Sequence, residues 1–148
     1  MEKDVIISIK GVQRYENADP DTMELVTEGR LEREGNSYTL SYQESELTGL
    51  EGTLTTFQIE PERVTLMRVG EFNSQMVFQE GRRHMSMYNT PYGAMTIGVN
   101  TRHLLAELDD QGGEIEIDYA IEIDHSVAGR NTFQINVKEA DGAVSLQV

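Results

Sequence analysis

An antiparallel, all-β barrel of about ten strands is the fold this sequence predicts. Three observations predict it. Apolar and polar residues alternate with period two along most of the chain, the mark of strands with one buried face. Gly, Pro, Asp and Asn cluster at short intervals between those runs. Helical periodicity is almost absent.

The elements follow in order. Val5, Ile7 and Ile9 alternate first. Met23, Leu25, Thr27, Gly29 and Leu31 share the next face. Tyr38, Leu40 and Tyr42 follow, then Phe57 with Ile59, Val64 with Leu66, and Met76 with Phe78. Met95, Ile97 and Val99 alternate with Thr96, Gly98 and Asn100. In GEIEIDYAIEID, residues 113–124, Ile115, Ile117, Tyr119, Ile121 and Ile123 line one face and mostly acidic residues take the other. A helix would scatter these isoleucines around its circumference. Phe133, Ile135 and Val137 close the series.

REGN (33–36), EPER (60–63), GEFN (70–73), EGRR (80–83), TPYG (90–93), DDQGG (109–113) and AGRN (128–131) read as turns. Connections this short make consecutive strands antiparallel neighbours. One segment is ambiguous. TRHLLAEL, residues 101–108, suits a short helix through Leu104, Leu105 and Leu108, or a continuation of the preceding strand. Spacing of roughly 8–12 residues favours an up-and-down barrel, with an open-ended sandwich as the other solution. Residues 1–148 are expected to form a single barrel domain.

Composition narrows the function. The chain has 148 residues, no cysteine and a formal charge of -14. It therefore has no disulfide, thiolate metal site or thiol nucleophile. The negative field disfavours nucleic acid and anionic membrane surfaces. The opening apolar run, Val5 to Ile7, is too short for a signal segment, and no stretch reaches the ~18 apolar residues of a membrane span. A cytoplasmic protein, monomeric or homodimeric, is expected; pairing through the acidic face of 113–124 is disfavoured.

The segments YQESELTGLEGTLTTFQIE, VTLMRVGEFNSQMVFQEG and YNTPYGAMTIGVNT, in this order and spacing, resemble the YwiB-like family of small bacterial proteins. The resemblance covers nearly the whole chain. It implies a calycin-like β-barrel, similar in shape to lipocalins and fatty-acid-binding proteins. It implies no activity and carries no catalytic residues.

Strand phase supplies the candidate site. If Tyr38, Leu40 and Tyr42 face inward, Glu44 follows them; if Val64 and Leu66 face inward, Arg68 follows. Neither ion stays buried alone. Arg68 would then anchor an anionic ligand, or pair with Glu44 as a closed structural contact, or a bulge would turn both outward. Tyr42, Glu44, Arg68, His84 and Tyr88 are the candidate ligand-binding residues. Which of His84/Tyr88 or Met85/Met87 faces inward stays open. Tyr38, Tyr42, Tyr88, Tyr92 and Tyr119 serve as pocket wall or as core, and so do Met76, Met85, Met87 and Met95. Glu46 and Glu51 are expected in solvent.

No metal or cofactor is expected. His84, His103 and His125 are widely separated, and His103 with Glu107 would supply two ligands where zinc usually needs three or four. No P-loop or G-x-S-x-G elbow occurs. Arg82–Arg83 reads as solvated turn charge. Three functions stay open: a binding module for a small amphipathic or anionic ligand inside the barrel, a filled structural barrel, and an enzyme at the barrel mouth using Glu44 as base with His84 or Tyr88.

Overall fold

Ten strands run through the chain: β1 (Glu2–Arg14), β2 (Asp21–Glu34), β3 (Ser37–Gln43), β4 (Thr53–Glu60), β5 (Arg63–Gly70), β6 (Ser74–Phe78), β7 (Arg83–Thr90), β8 (Gly93–Asp109), β9 (Gly112–Ile123) and β10 (Ser126–Glu139). The computed structural model describes residues 1–15, 18–46, 50–70, 73–90, 93–123 and 126–140, with the side chains at 87–90 and 95 left out. Each strand pairs antiparallel with its neighbour in sequence, and β1 pairs with β10 to close an up-and-down barrel. Closure removes the sheet edges that a flat meander would expose. The thinnest joint is β6–β7, where Ser74–Tyr88 is the pair among the described residues.

The two ends differ. At the lower end three hairpins close in two residues, at Gly35–Asn36, Pro61–Glu62 and Asp110–Gln111. At the upper end lie the longer connections after β1 and β3. Inward side chains fill the lower half: Val5, Leu31, Ile59, Val64, Phe78, Ile115 and Val137 are all buried. Gly29 lies among these inward positions because β2 passes too close to its neighbours for a side chain. A Cβ there would meet Ser41 O at 2.5 Å and Ile7 Cδ1 at 2.4 Å.

Residues 101–108 are strand, within β8. A register shift between Thr101 and His103 resets the phase, and Leu104, Ala106 and Leu108 then pack against the core. One expectation is corrected. AGRN (128–131) is not a turn; it lies inside β10, beside a register shift between Val127 and Gly129. A bulge adds a residue without ending the ladder. No helix among the described residues is long and apolar enough to cross a membrane.

Candidate functional site

The site begins with one residue beyond the end of β3. The Glu44 backbone N–H donates to Thr53 O at 2.9 Å, so the alternation of Leu40 and Tyr42 carries on to Glu44. Its side chain is 1% exposed. On the neighbouring strands Tyr42 stands opposite Thr55, and Thr55 opposite Arg68. Three adjacent strands thus present a phenol, a hydroxyl and a guanidinium in one row, with the carboxylate one step above.

A carboxylate this deep needs compensation. The Thr55 hydroxyl donates to Glu44 Oε2 at 2.5 Å. Arg68 Nε lies 3.8 Å from the same oxygen, and its side chain is 21% exposed. That Nε is buried without a hydrogen-bond partner among the described residues. Burial pushes the Tyr42 phenol well above its usual range, and the Glu44 charge beside it adds to the rise; Arg68 opposes.

Above the packed half the barrel opens into a cavity of about 410 Å³. Ile97, Ile121, Ile123, Phe133 and Met76 supply apolar wall; Arg68, Asn131 and Gln13 supply polar groups. Tyr119 packs between Phe78 and Phe133 with tilted rings, their centroids 4.7 and 5.9 Å away. Burial raises its phenol to about 12, against the lowering effect of its hydrogen bond with Asn131. Glu44 is absent from the cavity wall among the described residues. Its Oε2 stands 3.8 Å from Arg68 Nε, and Arg68 is the member of the pair at the cavity wall.

The structure brings together Tyr42, Glu44 and Arg68. His84 does not join them: its Nε2 lies 3.1 Å from Gln79 Oε1, and its backbone faces Val99. It stands four residues down β7 from Tyr88, about 13 Å at strand spacing, so its assignment to the site is corrected. Tyr88 pairs with Ser74, which also pairs with Arg68; its side chain lies outside the described residues, as do those of Met87 and Met95. Tyr92, Gly49 and His125 also fall outside them. On β7, Ser86 is buried and Met85 is 59% exposed, so Met85 points outward, away from the upper cavity that Met76 lines. Tyr38 belongs to the lower end, where its hydroxyl donates to Asp110 at 3.0 Å. Glu46 and Glu51 are exposed as expected.

Two surface readings change. Arg83 is not simply solvated; its Nε lies 2.9 Å from Glu122 Oε1. His103 is on a strand, so it aligns with Glu80 and Glu116 rather than Glu107. No cluster of three metal-binding side chains occurs among the described residues. Thr55 and Asn131 were missed as site residues. Thr55 was legible in the inward phase of Thr53, Thr55 and Phe57; Asn131 was hidden in a segment with turn-like letters.

The sequence profile of the Domain of unknown function (DUF1934) matches residues 7–135. The crystal structure of ywiB protein from Bacillus subtilis superposes with a TM-score of 0.83 at 21% identity, over 94% of this chain and 93% of that one. No curated protein matches. The resemblance carried by the three sequence segments is thereby shown, and with it the ten-stranded antiparallel barrel.

Proposed function

The chain belongs to the DUF1934 family, a domain of unknown function, and we propose that its barrel binds one small amphipathic anion in the upper cavity. The observation that carries this reading is Arg68. It stands at the wall of a 410 Å³ space, and no hydrogen bond to a described residue engages its buried Nε. Small-molecule sites usually occupy roughly 300–1,000 Å³ and combine apolar walls with a few convergent polar groups. Here Ile97, Ile121 and Phe133 would take an apolar body, and Arg68 with Asn131 a carboxylate head. A guanidinium has a fork of five N–H donors. One carboxylate at 3.8 Å leaves most of that fork to a ligand.

A second reading, a barrel with a purely structural ion pair, is supported by the Glu44–Arg68 approach and the packed lower half. Native mass spectrometry of the purified protein tests for a co-purifying ligand. Calorimetric titration with octanoate and decanoate, and with the corresponding alcohols, tests the chemistry. Carboxylates should bind, and Arg68→Gln should weaken them by about tenfold while leaving the alcohols unchanged. No bound species and no carboxylate binding would leave the structural barrel as the answer.

A further inference from the structure

The outer rim of the barrel carries a pair of facing arginines. Arg14, at the end of β1, stands directly opposite Arg130 on β10. Their neighbours Gln13 and Asn131 line the interior cavity, so strand alternation turns both arginines to the outer face. Both are exposed. Residues opposite each other on antiparallel strands have Cβ atoms about 4.5–5.5 Å apart, and like charges there repel.

The chain had the means to neutralise them, with 26 acidic residues against 12 lysines and arginines. Six of the twelve, Lys3, Arg30, Arg33, Arg63, Arg68 and Arg83, each meet a carboxylate, while Lys10, Arg82, Arg102 and Lys138 meet none among the described residues. Arg14 and Arg130 have no ion-pair partner among the described residues.

The backbone between them is shaped as well. The register shift at Val127/Gly129 bends β10 where the two strands meet, as bulges do. The Tyr15 ring lies against Gly129, where a Cβ would stand 3.0 Å from Tyr15 Cε1. A surface depression of about 380 Å³ results, lined by Arg14, Tyr15, Val127, Gly129 and Arg130.

We propose that Arg14 and Arg130 form an oxyanion site at the outer rim, separate from the interior cavity, that takes a phosphate group. A dianion between two guanidiniums removes their repulsion and accepts bidentate hydrogen bonds from each, the geometry for which arginine is suited. The proposal does not depend on a ligand inside the barrel.

Inorganic phosphate is the probe, titrated against sodium chloride at matched low ionic strength and followed by amide chemical shifts. Phosphate should move the resonances of Arg14, Tyr15, Gly129 and Arg130 saturably, and chloride should not. Arg14→Gln and Arg130→Gln should each weaken phosphate by about tenfold. Both positions are exposed, so both variants should fold, and without phosphate each should melt no lower than the parent because the repulsion is gone. Equal responses to phosphate and chloride would overturn the site. So would undiminished binding in the double variant. Shifts confined to Arg68 and Asn131 would place the anion in the interior cavity instead and overturn it too.

Discussion

Glu44 and Arg68 approach each other across β4 with Oε2 3.8 Å from Nε, yet the short hydrogen bond to that same oxygen comes from Thr55 on the strand between them. The carboxylate is therefore held by a hydroxyl and neutralised by a guanidinium. The two tasks can be separated by substitution. Arg68→Met removes the charge and leaves a buried carboxylate, which should cost on the order of 3 kcal/mol. Adding Glu44→Gln to Arg68→Met removes the stranded charge, and the double variant should be more stable than Arg68→Met alone. Urea unfolding of the parent, Arg68→Met and the double variant measures both. A loss near zero for Arg68→Met would show that Glu44 is not relying on it.

The two buried phenols make alkaline stability a second test. The Tyr119 phenol titrates at about 12 in the folded barrel, against about 10 in an unfolded chain. Below pH 10 both states hold the proton and the contribution is complete. Above pH 10 the unfolded chain releases it first, so the unfolded state binds fewer protons and stability falls with rising pH. Tyr42 is raised in the same sense and steepens the fall. Tyr119 alone should account for a loss of about 2 kcal/mol between pH 10 and 12. Urea midpoints across this range, in the parent and in Tyr119→Phe, should show a shallower decline in the variant. Parallel declines would mean that Tyr119 is not the group responsible.

Much of this was legible because a strand is the simplest element to phase. Leu40 and Tyr42 fixed the side of Glu44, and Val64 and Leu66 fixed that of Arg68. What alternation cannot carry is an interruption of itself. Gly129, Arg130 and Asn131 are turn letters, but here the chain bulges and continues, because pairing with β1 and β9 holds it on both sides. Residues 101–108 stayed ambiguous for the same reason: Leu104, Leu105 and Leu108 fit a helical face only until a one-residue slip is inserted after Thr101, which makes the strand alternative the right one. His84 failed differently. Its residue type suited a site, but distance along a strand grows by about 3.3 Å per residue, and that places it beside Gln79.

Gly29 tests whether the close approach of β2 to its neighbours is a requirement. Its backbone needs no unusual conformation, so alanine is excluded by space alone. The added Cβ would sit 2.5 Å from Ser41 O, a backbone atom with little freedom to retreat. Gly29→Ala should cost about 1–3 kcal/mol, the usual penalty for overpacking, read as a lowered urea midpoint with unchanged slope. Gly35→Ala is a poor control because its φ is +63°. Gly98, whose nearest contacts are side-chain atoms of Arg83 and Glu122, is the better one, and Gly98→Ala should cost less. Equal losses at the two positions would show that backbone proximity is not what fixes Gly29.

The upper cavity can be probed by filling it. Ile121 is half-buried on its wall, and the chain contains no tryptophan, so Ile121→Trp introduces a single indole reporter. In a packed interior the larger ring would cost about 1–3 kcal/mol. In a 410 Å³ space it should be accommodated with a smaller loss. Its fluorescence should be blue-shifted and poorly quenched by acrylamide. The same ring would occupy the volume proposed for an apolar ligand body, so decanoate affinity should fall while phosphate binding at the Arg14–Arg130 rim stays as in the parent. Stability thus reports the cavity, and affinity reports its use. A variant that folds normally but binds decanoate undiminished would place the carboxylate elsewhere than the space beside Arg68.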